Sequence, residues 1–397
     1  VKLSWKNPNI IIGNTATGNY YFARPHIEAG VWEEIKKGNH VLIAAPRRVG
    51  KSSVMIAMTE KRPDGVQCIF RNIQGIQTED EFYKQFFGLV IQCLSTVEQG
   101  VSWLKSLIKH LHIEEITLEG VKFSDKIPVN YPQEIHQLLK KISRQGVHIV
   151  LMLDELPEVL NNLYKNGRKN EAASLLDHLR QWRQTPDIKG HFSLVLAGSV
   201  GIHHIVKLVG GRTTDINDFA TIDFEALTLE EAADYITWAT RDASVQYDDP
   251  LKMLLLSKIN YFIPYFINLM LDEINQAARR ANDPHIKPEH IDRAFDRIVS
   301  NSDYFQEWKN RLFDYFSKGD ALFLQEVLVN IAHKKAINPR QLYNLALKHD
   351  RKTTYMELIH GLERDGYIAE REGRFVFIAP FLQAFWKKDN PVYDDNI

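Results

Sequence analysis

Residues 40–53, HVLIAAPRRVGKSS, decide how this chain reads. Residues 41–44 are a short apolar run, 45–50 a loop that breaks it, and Lys51-Ser52-Ser53 open a segment, VMIAMTEK, able to continue as a helix. A strand, a loop and a helix in that order aim backbone N–H groups and the positive end of a helix dipole at one point, which is how a backbone holds an anion. A nucleoside triphosphate carries its charge on the β- and γ-phosphates. Pro46, Arg47, Arg48, Val49, Gly50, Lys51, Ser52 and Ser53 are therefore the candidate nucleotide-binding residues, with Lys51 reaching the β/γ-phosphates and the Ser52 hydroxyl ligating Mg²⁺. Ala45 stands where the stricter pattern has its first glycine, a substitution that is tolerated if this position keeps a negative φ.

The second strong signal is HIVLMLDE at 148–155. An unbroken apolar run is expected of a central parallel strand buried on both faces. Two carboxylates at its end do not pack there for stability, because a buried pair must lose its charge or find cations. After a phosphate loop they have a chemical use. Asp154 holds Mg²⁺ directly or through water, and Glu155 orients the attacking water in line with the γ-phosphate. A further buried strand, FSLVLA at 192–197, ends at Gly198-Ser199, where Ser199 is a candidate to bond the γ-phosphate or the lytic water.

At 397 residues the chain is long enough for two or three domains. Its 44% hydrophobic and 25% charged content is that of an ordinary globular protein. With 49 basic and 50 acidic residues, nothing global draws it to nucleic acid or to an anionic membrane, so any such affinity must be local. Cys68 and Cys93 lie in apolar runs without metal-ligand spacing, as buried thiols of a reducing compartment do. No apolar stretch is long enough to span a bilayer and no signal-peptide pattern is present, so the expectation is a cytoplasmic protein without membrane contact.

Along the chain, residues 20–24 form an aromatic-basic cluster in which Tyr21, Phe22 and Arg24 suit either an adenine cover or plain core packing. Helical spacing follows at 26–37. After the phosphate loop come a strand at 65–73, an amphipathic helix at 79–96, a surface insertion at 102–129 and a helix at 131–145. Residues 156–190 are polar and helical, 209–214 are flexible, and 219–224 form a short strand. From Thr228, which opens a capping box with Glu231, the pattern is helical almost throughout, placing a boundary near Leu227. Residues 319–388 read as three helices and two short strands, a winged helix-turn-helix order.

Taken together, GNHVLIAAPRRVGKSS, VLMLDE, the strand ending at Gly198-Ser199, the Gly-Arg at 211–212 and the Pro-Tyr at 264–265 resemble the archaeal-type P-loop ATPases of the AAA+/STAND group, relatives of the initiator ATPases of replication origins. The resemblance covers nearly the whole chain, and Pro46-Arg47-Arg48 is its most specific element. It implies an α/β fold with a parallel-sheet ATPase core (1–227), an all-α lid (228–318) and a winged-helix domain (319–397). It implies ATP and Mg²⁺ as cofactors. Lys51 and Ser52 become the phosphate and Mg²⁺ contacts, Asp154 and Glu155 the metal and water pair, and Ser199 the first sensor. Asn72 falls where such proteins keep a polar residue that restrains the catalytic Glu, and Arg212 is a candidate phosphate sensor or trans-acting finger. Tyr261-Phe262-Ile263 replace the glycines that usually precede the lid proline, Pro264.

The expected function is an ATP-binding switch that hydrolyses ATP slowly. Its rivals are an oligomeric motor and a DNA-binding regulator with a vestigial ATPase. Expected partners are ATP and ADP, with a protein partner or self-assembly. DNA binding through the terminal domain ranks lower, because the third helix of that domain, TTYMELIHGLERDG, carries Arg364 against Glu357, Glu363 and Asp365.

Overall fold

The computed structural model describes residues 5–95, 113–117, 120–123, 129–198 and 202–393. Two compact units emerge. One comprises Ala23–Ala45 and Lys51–Phe224; the other comprises Val1–Phe22, Pro46–Gly50 and Glu225–Ile397. The division cuts the Pro46–Gly50 loop out of the chain on either side of it.

The first unit is built on a five-stranded parallel sheet: β1 (His40–Ala44), β2 (Val66–Asn72), β5 (His148–Asp154), β6 (Phe192–Gly198) and β7 (Phe219–Thr221), in the order β2-β5-β6-β1-β7. The register pairs Cys68 with Val150, Met152 with Val195, and Val41 with both Val195 and Ala220. Ile149 to Leu153 of β5 and all of β6 are buried, as continuous apolar strands covered on both faces must be. Because the strands are parallel, the carboxyl ends of β1, β5 and β6 share one edge, where open α/β sheets place their ligands. A separate antiparallel hairpin, β3 (Ile113–Thr117) with β4 (Gly120–Phe123), lies within the insertion expected at 102–129, whose other residues up to 128 lie outside the described ones.

One local expectation needs correction, and one element had no expectation at all. The strand expected at 219–224 ends at Thr221: the Ile222 amide still donates to Leu42 O (3.1 Å), and pairing with β1 stops there. Between β6 and the Gly210-Gly211 turn there is a helix, Ile202–Leu208, whose Ile202, Ile205 and Val206 are buried at helical spacing; its seven residues are too few to announce themselves in the sequence.

In the second unit the N-terminal segment is tied to the helices beyond Glu225: Asn9 N donates to Ala239 O (2.6 Å), Trp5 Nε1 to Asn275 Oδ1 (3.0 Å) and Asn268 Nδ2 to Ile11 O (3.0 Å). The Thr228–Glu231 capping box is formed in both directions (2.8 and 3.1 Å). Helix Pro264–Ala281 starts with its proline at the first turn, where the missing N–H costs nothing. Phe266, Phe305, Trp308, Phe381 and Phe385 make one aromatic cluster, with Phe266 stacked on Trp308 at 5.9 Å and Phe305 5.4 Å from Phe385. Near the C-terminus come Lys318–Lys334, Pro339–Lys348, Tyr355–Arg364 and the antiparallel pair β8 (Ile368–Arg371) and β9 (Arg374–Phe377), then Pro380–Asp389. A bridge from Ile337 to Phe375 ties the hairpin back to the helices. Among the described residues no helix is long and apolar enough to cross a membrane.

Candidate nucleotide site

β1 delivers the chain to the loop and helix Lys51–Glu60 carries it away. Positive φ in the loop falls on Arg48 (65°) and Gly50 (104°), and Ala45 is not among the positive-φ residues, so its Cβ is accommodated. Lys51, only 6% exposed, donates from Nζ to Ala45 O (2.6 Å), and an amine so placed faces back into the loop that precedes it.

At the end of β5, two strands away, Asp154 is 2% exposed. Its Oδ2 accepts from Ser52 Oγ, while its Oδ1 is buried without a hydrogen-bond partner. Burial raises the carboxyl's pKa, and neighbouring Glu155 adds to this against the opposing effects of Ser52 and Lys51. A buried carboxylate oxygen without a donor is costly, of order 1–3 kcal/mol, and is kept only where something else satisfies it. Ser52 and Asp154 fit a Mg²⁺ ion: a hydroxyl and a carboxylate side by side, one oxygen still open. Mg²⁺ retains waters and phosphate oxygens and so asks the protein for one or two ligands. Among the described residues no group of three or more His, Cys, Asp or Glu side chains is arranged to hold a metal by itself.

β5 stops at Asp154, and Glu155 turns into the left-handed region (φ 67°, ψ 36°), caps helix Leu156–Lys165 and donates its amide to Ala197 O (2.9 Å). A non-glycine residue there costs on the order of 1–2 kcal/mol, a strain found at sites that aim a side chain. The turn is wedged by its neighbours: a Cβ on Gly198 would come within 2.6 Å of Pro157 Cγ, so the tip of β6 must be glycine for the helix to start where it does.

Other residues singled out in the sequence are placed as follows. The Asn72 side chain accepts from Gln74 N (2.9 Å) and so braces its own turn. Arg212 is 65% exposed and pairs with Asp177 (3.0 Å) and Asp215 (3.5 Å). Phe22, half-buried, packs edge-on against Tyr235 and Trp238 (5.2 and 5.5 Å), while Arg24 is 5% exposed against the Phe224 ring (5.5 Å). Ser199 lies outside the described residues. Arg47 and Arg48 meet a partner that sequence reasoning missed, Glu307: Arg47 contacts it, and Arg48 Nη2 donates to Glu307 Oε2 (2.8 Å). A partner 259 residues away leaves no local signal.

No protein-family model matches the chain, and no curated protein matches it. Among solved structures it is similar to a Walker-type ATPase of Pyrococcus abyssi, at 15% identity over 94% of this chain and 98% of that one, with a TM-score of 0.58. It is also similar to the ORC2 protein of Aeropyrum pernix, solved in ADPNP and ADP complexes, at 11% identity over 92% of each chain, with a TM-score of 0.52. The likeness is one of fold. That fold is α/β, a five-stranded parallel sheet core followed by helices and a terminal segment of helices with one antiparallel strand pair.

Proposed function

We propose that this chain binds ATP, hydrolyses it slowly with Mg²⁺, and acts as a nucleotide-dependent switch of the archaeal AAA+/STAND kind. The observation that carries the reading is Asp154 at the end of β5, with one oxygen on Ser52, the residue after Lys51, and the other buried and open. A magnesium ion there would neutralise charge on the β/γ-phosphates. The chain's own residues do the rest. Lys51 exchanges the Ala45 carbonyl for phosphate oxygens and stabilises charge on the transferring phosphoryl group. Glu155, presented by its left-handed turn, orients the attacking water and takes up its proton. Ser199 senses the γ-phosphate, and Arg212 approaches phosphate when it leaves Asp177. Slow turnover fits an arginine engaged by carboxylates, and a switch needs no more than one turnover per signal.

The domain division that goes with this reading is an ATPase core at 1–227, a lid at 228–318 and a winged helix at 319–397, in a cytoplasmic protein. For the winged helix, docking to a protein partner or a second copy stands ahead of DNA. Lys348 is engaged by Glu326 (2.7 Å) and Arg351 by Asp320 (2.6 Å), so these cations already have carboxylate partners.

Calorimetric titration of ATP in Mg²⁺ tests the reading. Wild type should bind, and Lys51→Ala, which removes the principal side-chain partner of the β/γ charge, should lose measurable binding. Unchanged affinity in that variant would remove the phosphate-loop assignment.

A further inference from the structure

Pro46–Gly50 belong, by their contacts, with the unit that holds Glu225–Ile397, and the contacts are specific. Helix Gln306–Tyr315 presents Glu307 in its first turn, and this one carboxylate takes both loop arginines. The Arg48 guanidinium also lies over the Tyr265 ring, 3.9 Å from its centroid, and 5.5 Å from that of Trp308. Pro46 sits against Gly366, where a Cβ would come within 2.8 Å of Pro46 Cβ. The helix that carries Glu307 is anchored in turn, since Tyr367 donates its hydroxyl proton to Trp308 O (2.6 Å). Arg47, Glu307, Trp308, Arg311, Asp365 and Tyr367 line one small cavity.

Two adjacent guanidinium groups repel, and both draw on the Glu307 carboxylate. Burial lowers the Arg48 pKa, Tyr265 opposes this, and Arg47 adds to it. The positive φ of Arg48 (65°) is strained for a bulky residue and persists only while its surroundings hold the side chain in place. Arginine forks bind carboxylate and phosphate by the same bidentate geometry, and a phosphate chain brings more negative charge than Glu307 does.

We infer that Glu307 is an internal competitor of nucleotide phosphate: its carboxylate occupies Arg47 and Arg48, and β/γ-phosphates must displace it to recruit these arginines. The inference rests on the nucleotide-binding reading above and adds to it a residue that sets affinity and carries the news of phosphate binding to the helix bearing Glu307. Phosphate on the loop releases helix Gln306–Tyr315 from the arginines; phosphate loss lets Glu307 recapture them.

The test is calorimetry on the full chain with two probes, ADP and inorganic pyrophosphate, for wild type, Glu307→Gln, Glu307→Asp and Lys51→Ala, with circular dichroism to confirm folding. Glu307→Gln, which cannot neutralise the arginines, should bind both probes at least fivefold tighter. Glu307→Asp, charged but one methylene shorter, should fall between. A merely structural role for Glu307 predicts no gain in affinity. Equal or weaker binding by a folded Glu307→Gln overturns the inference, and if that variant does not fold, equal or weaker binding by Glu307→Asp does so. If wild type binds and Lys51→Ala does not while both Glu307 variants match wild type, only this inference falls. If no form binds either probe, the nucleotide reading falls and takes the inference with it.

Discussion

The two ends of the parallel sheet bury charged and polar groups in opposite ways. At the amino ends of the strands the charged groups have partners, though His191 Nδ1, just before β6, is buried without one. His40 of β1 accepts the Leu194 amide proton on Nδ1 (3.0 Å), and Arg183, 4% exposed, clamps Asp218 through Nε and Nη2 (3.0 and 2.9 Å) and donates to Asp215 O (2.6 Å). His148 of β5 meets Ser193 of β6 (3.3 Å). At the carboxyl ends, Asp154 keeps an oxygen without a donor and Glu155 sits in strained backbone. A closed network serves the fold, whereas an open valence beside a strained turn is what a ligand completes.

The largest effect that could break this contrast is at Glu155. Glu155→Gln keeps shape and hydrogen bonding but cannot take up the water's proton, so ATP turnover should fall by about 10²–10⁴-fold while ATP affinity survives. Phosphate-release assays together with calorimetry check this. Turnover at the wild-type rate would mean that the strained turn aims nothing at the reaction.

At the closed end the expectation concerns stability and pH. Burial, then the nearby Arg183, depresses the His40 pKa to about 4, so the folded state holds this ring neutral. Its unfolded value is near 6.5, so between these limits the unfolded chain binds the extra proton. The contribution is therefore fully present above pH 6.5 and is lost as pH falls towards 4, by at most about 3 kcal/mol. Urea midpoints measured across that window should fall for wild type. They should fall much less for His40→Gln, whose amide oxygen can still accept the Leu194 proton. An identical fall in both proteins would assign the pH dependence to other groups.

The smallest effect extends the contrast to the terminal helices, where Lys348 and Arg351 are engaged by carboxylates and Arg364 Nε by a backbone carbonyl, His360 O (3.1 Å). Arg371 and Arg374 face one another across the hairpin and are the cations best placed for phosphate. Fluorescence anisotropy of the full chain with random and genomic duplexes should show micromolar or weaker binding, indifferent to sequence and falling steeply with salt. Tight, sequence-selective binding at physiological salt would make the DNA-regulator account the better one.

What could be read from the chain itself followed from local physics. The apolar run ending in Asp154-Glu155 announces a buried parallel strand because periodicity and burial are properties of neighbouring residues. The loop ending in Gly50-Lys51-Ser52 announces a strand-to-helix turn because strand, loop and helix follow one another along the chain. The Thr228 cap was legible for the same reason. Only the tertiary structure decided the strand order that brings Asp154 to Ser52 across 102 residues. It alone paired Arg47 and Arg48 with Glu307, since an ion pair between distant segments depends on how helices pack and leaves no period, cap or spacing in the sequence.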